Sequence, residues 1–224
     1  PEIGQEFDHK YYTPRPERKK RVLVVGGGPA GMQAALTAAR NGHDVSPYEK
    51  SGALGGALKV ARHVSFKKEL HDFALLLEKR MRNAGVAVHT AAAATAERIR
   101  AENPDALVIA AGAKPFVPPI PGIDKDIVLL PETAEKNAAQ LPGDIVIIGG
   151  GLIGCETAIS LGMQGKKVTV VEMRERLAPE ANDFHRMALE QQLRQYVTPL
   201  VRPAVRETLD GGGRCRRDGR EEMQ

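Results

Sequence analysis

Short apolar runs, each followed by a glycine cluster and a helical pattern, occur twice along the chain. VLVV (22–25) and IVII (145–148) are β-branched runs with the length of a strand that is buried on both faces of a parallel sheet. After each glycine cluster, apolar side chains recur at helical spacing, over 32–40 in the first copy and over 155–164 in the second. The hydrophobic pattern therefore predicts an α/β chain with two strand–turn–helix units.

Further strands and helices are predicted after each of these units. A second strand is predicted over HDVSPYEK (43–50) and over KVTVVE (167–172). Pro47 is unexpected in the first of these, because a proline in a central strand removes a ladder hydrogen bond. The other predicted strands cover 86–90, 106–113 and 197–201, and the other predicted helices cover 66–84, 96–101 and 181–195.

The longest predicted helix carries its large apolar residues on one face. These residues are Phe66, Leu70, Phe73, Leu77 and Met81. Side chains at this spacing form a single stripe along a helix, and such an apolar stripe typically faces the core.

Stretches that are rich in proline or in charge separate the predicted domains. We predict a linker over 1–20, a first domain over 21–124, a connector over 125–143 and a second domain over 144–224. The prolines of KPFVPPIPGID, at the end of the first domain, exclude a helix or a central strand there. ETLDGGGRCRRDGREE, near the end of the chain, is typical of a hairpin or of a frayed terminus.

The two glycine clusters, GGGPAG (26–31) and GGGLIG (149–154), both match GxGxxG and start 123 positions apart. In a dinucleotide-binding fold the first glycine allows a tight turn, the second lets the pyrophosphate approach the backbone, and the third lets helix and strand pack closely. The N–H groups at the start of the helix attract the phosphates. The matching glycines are Gly26, Gly28 and Gly31 in the first copy and Gly149, Gly151 and Gly154 in the second.

A carboxylate follows 23 residues after the first glycine of each motif, at the end of the next predicted strand. Glu49 and Glu172 hold this position, at which an acid accepts hydrogen bonds from the adenosine ribose. An alternative is that the glycines are structural turns and the acids cap exposed strand ends, but the recurrence of the whole pattern at one spacing favours binding. We therefore predict two Rossmann-like dinucleotide-binding folds. Further expected contacts are Pro29, Ala30, Lys50, Leu152 and Ile153.

Two acids bear on the second dinucleotide. Glu172 accepts a hydrogen bond from a free ribose 2′-OH and repels a 2′-phosphate, so we expect NADH to be preferred to NADPH. Arg174 would soften that preference. Glu156, in the first turn of the helix, either approaches the nicotinamide or simply interacts with the helix dipole, and both interpretations stay open.

Composition is that of an ordinary globular protein, with 42% hydrophobic and 27% charged residues. No apolar run reaches the ~18 residues of a membrane span, and the N-terminal stretch lacks a signal-peptide pattern, so we predict a cytoplasmic protein without a membrane partner. The net charge of +4 reflects basic residues concentrated in RPERKKR (15–21) and RCRRDGR (214–220). With 4% aromatic residues there is little to stack bases on, and we predict no nucleic-acid partner.

The cysteines and histidines offer no evident catalytic or metal-binding group. Cys155 and Cys215 do not form CxxC, which argues against a dithiol centre and against an iron–sulfur or zinc site within these residues. Cys155 is expected to be a small packing residue. The six histidines show neither ligand spacing nor a paired nucleophile, so we assign no catalytic residue and no metal ligand.

Taken in order, GGGPAG, Glu49, ALVIAAGAKP and GGGLIGCE resemble the flavoproteins that contain two dinucleotide-binding domains. The resemblance implies FAD in the first fold and NAD(P)H in the second, which is inserted in the first. LVIAAGA (107–113) is similar to the family's strand and ATGA-type turn beside the flavin nucleotide. Ala111 replaces the usual threonine there, which leaves the contact to the backbone near Gly112.

More narrowly, three segments resemble the C-terminal part of the NADH:flavin oxidoreductases built on an Old Yellow Enzyme-type barrel. That group includes 2,4-dienoyl-CoA reductase, clostridial and bile-acid enoate reductases, and trimethylamine dehydrogenase. The segments are PEIGQE (1–6), LGGALKVARHVSFKKEL (54–70) and PPIPGID (118–124). Gly55 and Gly56, in the second segment, resemble the group's backbone contact to flavin, with a plain flexible turn as the alternative.

This resemblance implies a module that feeds electrons into a larger enzyme. Hydride would pass from NADH to FAD, and electrons would continue through a 4Fe-4S cluster to FMN and an activated C=C bond. The flavin barrel and the iron–sulfur segment, which are the implied partners, would precede Pro1, and the segment that closes the FAD fold would follow Gln224. A homo-oligomer stays open.

Two other functions stay open beside the electron-input module. One is a stand-alone NAD(P)H-dependent flavoprotein reductase. The other is a non-catalytic fragment that binds ADP or another nucleotide, since trimethylamine dehydrogenase resembles this architecture and keeps ADP alone in the first site.

Overall fold

A computed structural model of the chain describes residues 16–201, 207–209 and 215–217. Most of the predicted linker, and PEIGQE within it, therefore lies outside the described residues. The chain divides into two compact units, Pro1–Ala113 and Lys114–Gln224. Each unit contains a parallel sheet and an apolar core.

The first unit contains three strands and three α-helices among its described residues. The strands are β1 (Arg21–Val25), β2 (Asp44–Tyr48) and β3 (Ala106–Ile109), the helices are α1 (Pro29–Arg40), α2 (Lys68–Asn83) and α3 (Ala96–Glu102), and 3₁₀ turns cover Gly56–His63 and Ser65–Lys67. The strands are parallel in the order β2-β1-β3. Leu23 and Val24 of the central strand are fully buried, as expected for a strand that is covered on both faces.

Pro47 lies inside β2 and is tolerated because its backbone points away from β1. The neighbouring carbonyl of Tyr48 faces β1 and accepts the N–H of Gly26 at 2.8 Å, so the backbone groups of Pro47 face the other side. There the carbonyl of Pro47 accepts the N–H of His89 at 2.9 Å. The prediction of a strand over 86–90 is wrong, because this segment forms only one β-bridge, between Tyr48 and His89. Pro47 has no N–H with which the ladder could continue.

The helix predicted over 66–84 begins later than expected and buries only part of the predicted stripe. α2 starts at Lys68, after the two 3₁₀ turns. Leu77 and Met81 are buried as predicted, and with Ala74 they pack into the core beside α1. The prediction of a single buried stripe is wrong for three side chains that are 44 to 47% exposed. These are Phe66, Leu70 and Phe73.

The second unit also contains a three-stranded parallel sheet and three α-helices among its described residues, but its strand order differs. The strands are β4 (Asp144–Ile148), β5 (Lys167–Glu172) and β6 (Val197–Val201), the helices are α4 (Pro131–Lys136), α5 (Leu152–Met163) and α6 (Asp183–Tyr196), and a 3₁₀ turn covers Ala138–Gln140. The sheet is parallel in the order β4-β5-β6. The predicted third strand is confirmed. Pro199 lies in β6, at the edge of the sheet as described, where a missing N–H costs little.

The second unit also contains a helix that was not predicted and a pair of strands near the end of the chain. α4 falls within the predicted connector and was missed, because six residues are too few to show a helical period. Near the end of the chain, β7 (Glu207–Leu209) and β8 (Cys215–Arg217) pair antiparallel. Of the two predictions for this segment, the hairpin is the one observed.

Candidate functional site

The first glycine turn joins β1 to α1 through backbone contacts that allow no side chain. Gly26 has φ +109°, a conformation that favours glycine, and a Cβ on it would lie 2.2 Å from the carbonyl oxygen of Ala110. A Cβ on Gly31 would lie 1.8 Å from the carbonyl oxygen of Gly26, so helix and turn touch directly. α1 begins at Pro29, after Gly28. The first and third glycines of the first motif are therefore in direct contact.

The Glu49 carboxylate folds back over the turn. Its Oε2 accepts the N–H of Gly27 at 2.7 Å, and its Oε1 accepts the N–H of Ser51 at 2.8 Å. Burial raises the pKa of Glu49, but these N–H donors and the charge of Lys59 outweigh burial, and the pKa lies below its ordinary value. The residue is therefore a charged, buried hydrogen-bond acceptor at the end of β2, as a ribose-binding acid must be.

Other residues predicted to contact the flavin nucleotide lie beside the same turn. The N–H of Gly55 donates to the carbonyl of Gly27 at 2.8 Å. A Cβ on Gly56 would lie 2.8 Å from the Cα of Gly28, so the two backbones are in close contact. A Cβ on Gly26 would also lie 3.3 Å from the Cα of Ala111. Gly112 follows with φ +74°.

The second glycine turn repeats these contacts at a constant offset of 123 positions. Three backbone hydrogen bonds recur: Gly149 N–H to Val171 O, Cys155 N–H to Gly151 O, and Ala178 N–H to Gly150 O, at 2.8, 3.0 and 2.7 Å. Their counterparts are Gly26 N–H to Tyr48 O, Met32 N–H to Gly28 O, and Gly55 N–H to Gly27 O, at 2.8, 2.9 and 2.8 Å. A Cβ on Gly154 would lie 2.0 Å from the carbonyl oxygen of Gly149. The repeat therefore extends beyond the motif, into the loop after the second strand.

Glu172 occupies the same position in the second turn as Glu49 in the first. Its Oε2 accepts the N–H of Gly150 at 2.8 Å. Its Oε1 accepts the backbone N–H of Arg174 at 2.8 Å and the guanidinium Nε–H of the same residue at 3.2 Å. Burial raises the pKa of Glu172, but the hydrogen bonds and the charge of Arg174 outweigh it and hold the pKa below its ordinary value.

The two turns differ at the start of their helices. In the second turn, Oε1 of Glu180 accepts the N–H of Leu152 at 2.8 Å. Oε2 of Glu180 lies 3.7 Å from a guanidinium nitrogen of Arg174. A Cβ on Gly151 would lie 2.8 Å from Oε1 of Glu180, so this carboxylate stands directly over the second motif glycine.

The remaining predicted contacts are more peripheral. Ala30, Lys50 and Ile153 are exposed at or beside the turns. Oε1 of Glu156 lies 3.9 Å from Nε2 of His185, and the Glu156 side chain is largely buried. The prediction that Glu156 lies in the first turn of the helix is wrong, because α5 begins at Leu152 and its first turn contains no acid. In the second turn an interaction with the helix dipole is weaker.

Cys155 is a packing residue, as predicted. It is fully buried, its thiol donates to the carbonyl of Gly150 at 3.3 Å, and burial raises its pKa to about 11. Across residues 16–201 and the two short strands that follow, the structure contains no cluster of three or more His, Cys, Asp or Glu placed to hold a metal ion. In the same residues no helix is long and apolar enough to cross a membrane.

Sequence reasoning missed the middle glycine of each cluster. GxGxxG leaves this position free, yet a Cβ on Gly27 would lie 2.4 Å from Leu54 Cδ2 and 2.9 Å from Glu49 Cβ. The second copy has the same contacts, because a Cβ on Gly150 would lie 2.3 Å from Leu177 Cδ2. The signal was present in the sequence as the second residue of both GGG triplets and as a leucine at the same offset. Lys59 was missed because it lies ten residues from Glu49.

The match to one family profile covers most of the chain. The profile described as pyridine nucleotide-disulphide oxidoreductase matches residues 20–214, which include both glycine turns and both acids. The chain belongs to this family. Members of this family are flavin-dependent NAD(P)H oxidoreductases. The parallel Rossmann-like sheets described above are consistent with the family fold.

The chain is similar to several characterised proteins in sequence or in structure. NADH oxidase of Thermoanaerobacter brockii is 43% identical over 178 residues, which cover 78% of this chain and 27% of that protein. Bilirubin reductase of Mediterraneibacter gnavus is 40% identical over 201 residues, which cover 89% of this chain and 31% of that protein. The structure of a complex of 2-naphthoyl-CoA reductase with 2-naphthoyl-CoA gives a TM-score of 0.84 at 32% identity, covering 97% of this chain and 34% of that one. The chain thus spans about a third or less of these proteins.

The family implies FAD and NAD(H), and the first turn fits a dinucleotide. Among the described atoms within 4 Å, a Cβ on Gly28 would meet Gly56 Cα alone, at 3.8 Å, so the space that a pyrophosphate needs is open. The N-cap residue of α1, Gly28, has no side chain that could occupy the start of the helix. The second turn has the same backbone and the same acid, but the half-exposed side chain of Glu180 places a carboxylate oxygen over Gly151. A dinucleotide fits there once this side chain moves.

Proposed function

We propose that the chain binds FAD at the first glycine turn and NADH at the second, and passes hydride from NADH to FAD. NADH loses a hydride and becomes NAD⁺, while FAD takes up that hydride and a proton. The observation that carries the proposal is the recurrence of the turn, the folded-back acid and the loop contact at one offset of 123 positions. Two such sites in one chain suit a nucleotide that stays bound and a second that delivers electrons to it.

The residues of each turn have separate roles in this proposal. The N–H groups at the starts of α1 and α5 bind the pyrophosphates. Glu49 and Glu172 accept hydrogen bonds from the adenosine ribose, and Gly55 and Gly56 carry the backbone against the first dinucleotide.

An anaerobic visible spectrum tests the proposal. The purified chain is loaded with FAD, freed of excess flavin and titrated with NADH. Bleaching of the bound flavin band is the expected result. Flavin that stays bound but is not bleached would contradict hydride transfer in this chain, and failure to bind flavin while ADP binds would favour the non-catalytic nucleotide-binding alternative.

We further propose that the chain is the electron-input part of a larger enzyme with an Old Yellow Enzyme-type barrel, FMN and a 4Fe-4S cluster. The similarity to 2-naphthoyl-CoA reductase and bilirubin reductase, of which this chain matches about a third, supports the proposal. The partners of this chain would be the flavin barrel and the iron–sulfur segment of that enzyme. The final electron acceptor would be an activated C=C bond of the substrate.

The range of electron acceptors that the isolated chain can reduce tests this electron-input role. The FAD-loaded chain is expected to reduce ferricyanide with NADH, because one-electron acceptors can take electrons from an exposed reduced flavin. It is expected not to reduce an enoyl-CoA or a cinnamate on its own. Reduction of such a C=C bond by the isolated chain would contradict the electron-input role and favour a stand-alone reductase.

The proposal includes a preference for NADH over NADPH. Glu172 holds the position that receives the adenosine ribose, and its charge repels a 2′-phosphate, while Arg174 is already paired with it. Dissociation constants for the two nucleotides should differ by about tenfold or more in favour of NADH. Glu172→Gln should narrow that ratio, because it removes the charge that repels a 2′-phosphate. An unchanged ratio in this variant would contradict the role of Glu172.

A further inference from the structure

The start of α5 already carries an anion that belongs to the chain itself. Glu180 accepts the N–H of Leu152 at 2.8 Å, and its carboxylate lies over Gly151. These are the donor and the space that a pyrophosphate uses in a GxGxxG turn. The N–H of Leu152 holds the pKa of Glu180 below its ordinary value, so the carboxylate is charged at neutral pH.

The first turn lacks every part of this arrangement. At the same offset Pro29 replaces Leu152, and a proline has no N–H to donate. Ala57 replaces Glu180, and Ser51 replaces Arg174. The backbone of the two loops is nonetheless alike, as the bonds from Gly55 and Ala178 show. The difference is therefore one of side chains on a common framework.

We propose that Glu180 is an internal competitor of the dinucleotide at the second turn and sets the affinity of that site. The carboxylate must leave the N–H of Leu152 and the space over Gly151 before a pyrophosphate can enter. The second site then binds its dinucleotide more weakly and releases it faster than the same backbone would without Glu180. This inference rests on the proposed function, in which the second turn binds NADH.

Such competition suits a site whose nucleotide must exchange in every turnover. Two anions cannot share one helix start, because each is attracted by the same N–H groups and they repel each other. Arg174 keeps the displaced carboxylate nearby, since its guanidinium lies 3.7 Å from Glu180 and is anchored on Glu172. Glu180 can therefore return as the nucleotide leaves. At the corresponding position the first site has Ala57, which cannot compete with a phosphate, and this suits a nucleotide that stays bound.

Binding of ADP-ribose to the full chain tests this competition. ADP-ribose carries the pyrophosphate and the adenosine ribose but no nicotinamide, so its binding is measured without any redox reaction. The chain is first loaded with FAD and freed of excess flavin, and ADP-ribose is then titrated by calorimetry, with dissociation followed by stopped flow. Glu180→Gln should lower the dissociation constant by about three- to tenfold and slow dissociation.

Glu175→Gln is the matched control. Glu175 is an exposed residue of the same loop, so this variant removes the same charge without touching the turn, and its affinity should equal that of the original chain. FAD content should be the same in all three proteins, because Glu180 belongs to the second turn.

Three results would overturn the proposal. Binding by Glu180→Gln that is no tighter than that of the original chain would show that Glu180 does not compete. An equal gain in Glu175→Gln would assign the effect to net charge alone. No detectable binding of ADP-ribose to any of the three FAD-loaded proteins would overturn the assignment of the second site in the proposed function, and the competition with it.

Discussion

At the scale of single residues, both turns depend on a further glycine that the GxGxxG pattern leaves unspecified. Gly27 and Gly150 are covered by the stem of the ribose-binding acid and by a leucine, at distances that exclude a Cβ. The acid can fold back and accept an N–H from the turn because nothing stands between them. The acid and the middle glycine thus form one unit in each copy.

Gly27→Ala should destabilise the first unit by about 1–3 kcal/mol, because the new methyl group would overlap Leu54 and Glu49. Gly52→Ala is the control. A Cβ on Gly52 meets no described atom within 4 Å, and we expect a change within about 0.5 kcal/mol. Urea unfolding followed by circular dichroism measures both. Equal unfolding midpoints for the two variants would refute the close contact of Gly27 with Leu54 and Glu49.

The buried acids should make both units sensitive to low pH. Burial raises the pKa values of Glu49 and Glu172, but hydrogen bonds outweigh burial, and both pKa values fall below their value in the unfolded chain. A lowered pKa contributes stability above the unfolded value of about 4.3, and this contribution is lost as the pH falls through the folded pKa. The double variant Glu49→Gln, Glu172→Gln should therefore lose less stability than the original chain between pH 6 and pH 3. Melting temperatures across that range measure it, and parallel curves for both proteins would contradict the assignment.

At the scale of elements, the hydrophobic periodicity of the sequence predicted the positions of most helices and strands. It did not predict which part of the apolar stripe of α2 is buried. α2 buries Ala74, Leu77 and Met81, whereas the larger Phe66 and Phe73 remain half exposed. Small residues such as Ala74 let a helix approach its neighbour closely, and a hydrophobic stripe alone does not show which part of it meets α1.

Leu77→Ala should destabilise the first unit by about 2–5 kcal/mol, because this side chain is fully buried in the core. Phe73→Ala removes a larger side chain that is 44% exposed, and the loss should be clearly smaller. Thermal unfolding of both variants measures the difference. A larger loss for Phe73→Ala would contradict the partial exposure of this side chain.

At the scale of the whole molecule, two units carry the same turn and each has its own core. Gly28 and Gly151 have extended backbone conformations that any residue can adopt. A side chain at either position would project toward the proposed pyrophosphate, while the unit around it keeps its fold. This makes the two ligand sites separable by mutation.

Gly28→Val should weaken FAD binding by about tenfold or more and leave NADH binding largely intact. Gly151→Val should do the reverse, and the flexible Glu180 side chain can move aside to accommodate the new group. Flavin content after gel filtration and calorimetry with NADH measure the two sites separately. Loss of the same ligand in both variants would refute the assignment of two sites.

The sequence by itself determined the elements that repeat. β-branched runs, GxGxxG and an acid at a fixed spacing specified two Rossmann-like turns, because each of these signals depends on residues close together in the chain. Contacts between distant segments needed the tertiary structure. Pro47 could be placed only when the orientation of β2 against His89 was known, and the register there explains why a predicted strand shrank to one bridge.

The candidate site divides in the same way. Motif glycines and both acids were predictable, since their roles follow from local geometry. The position of Glu180 over Gly151 was not, because 29 residues separate them and no motif links them. Only the fold of the loop after β5, which brings that carboxylate onto the start of α5, decides that the second turn holds an anion of its own and the first does not.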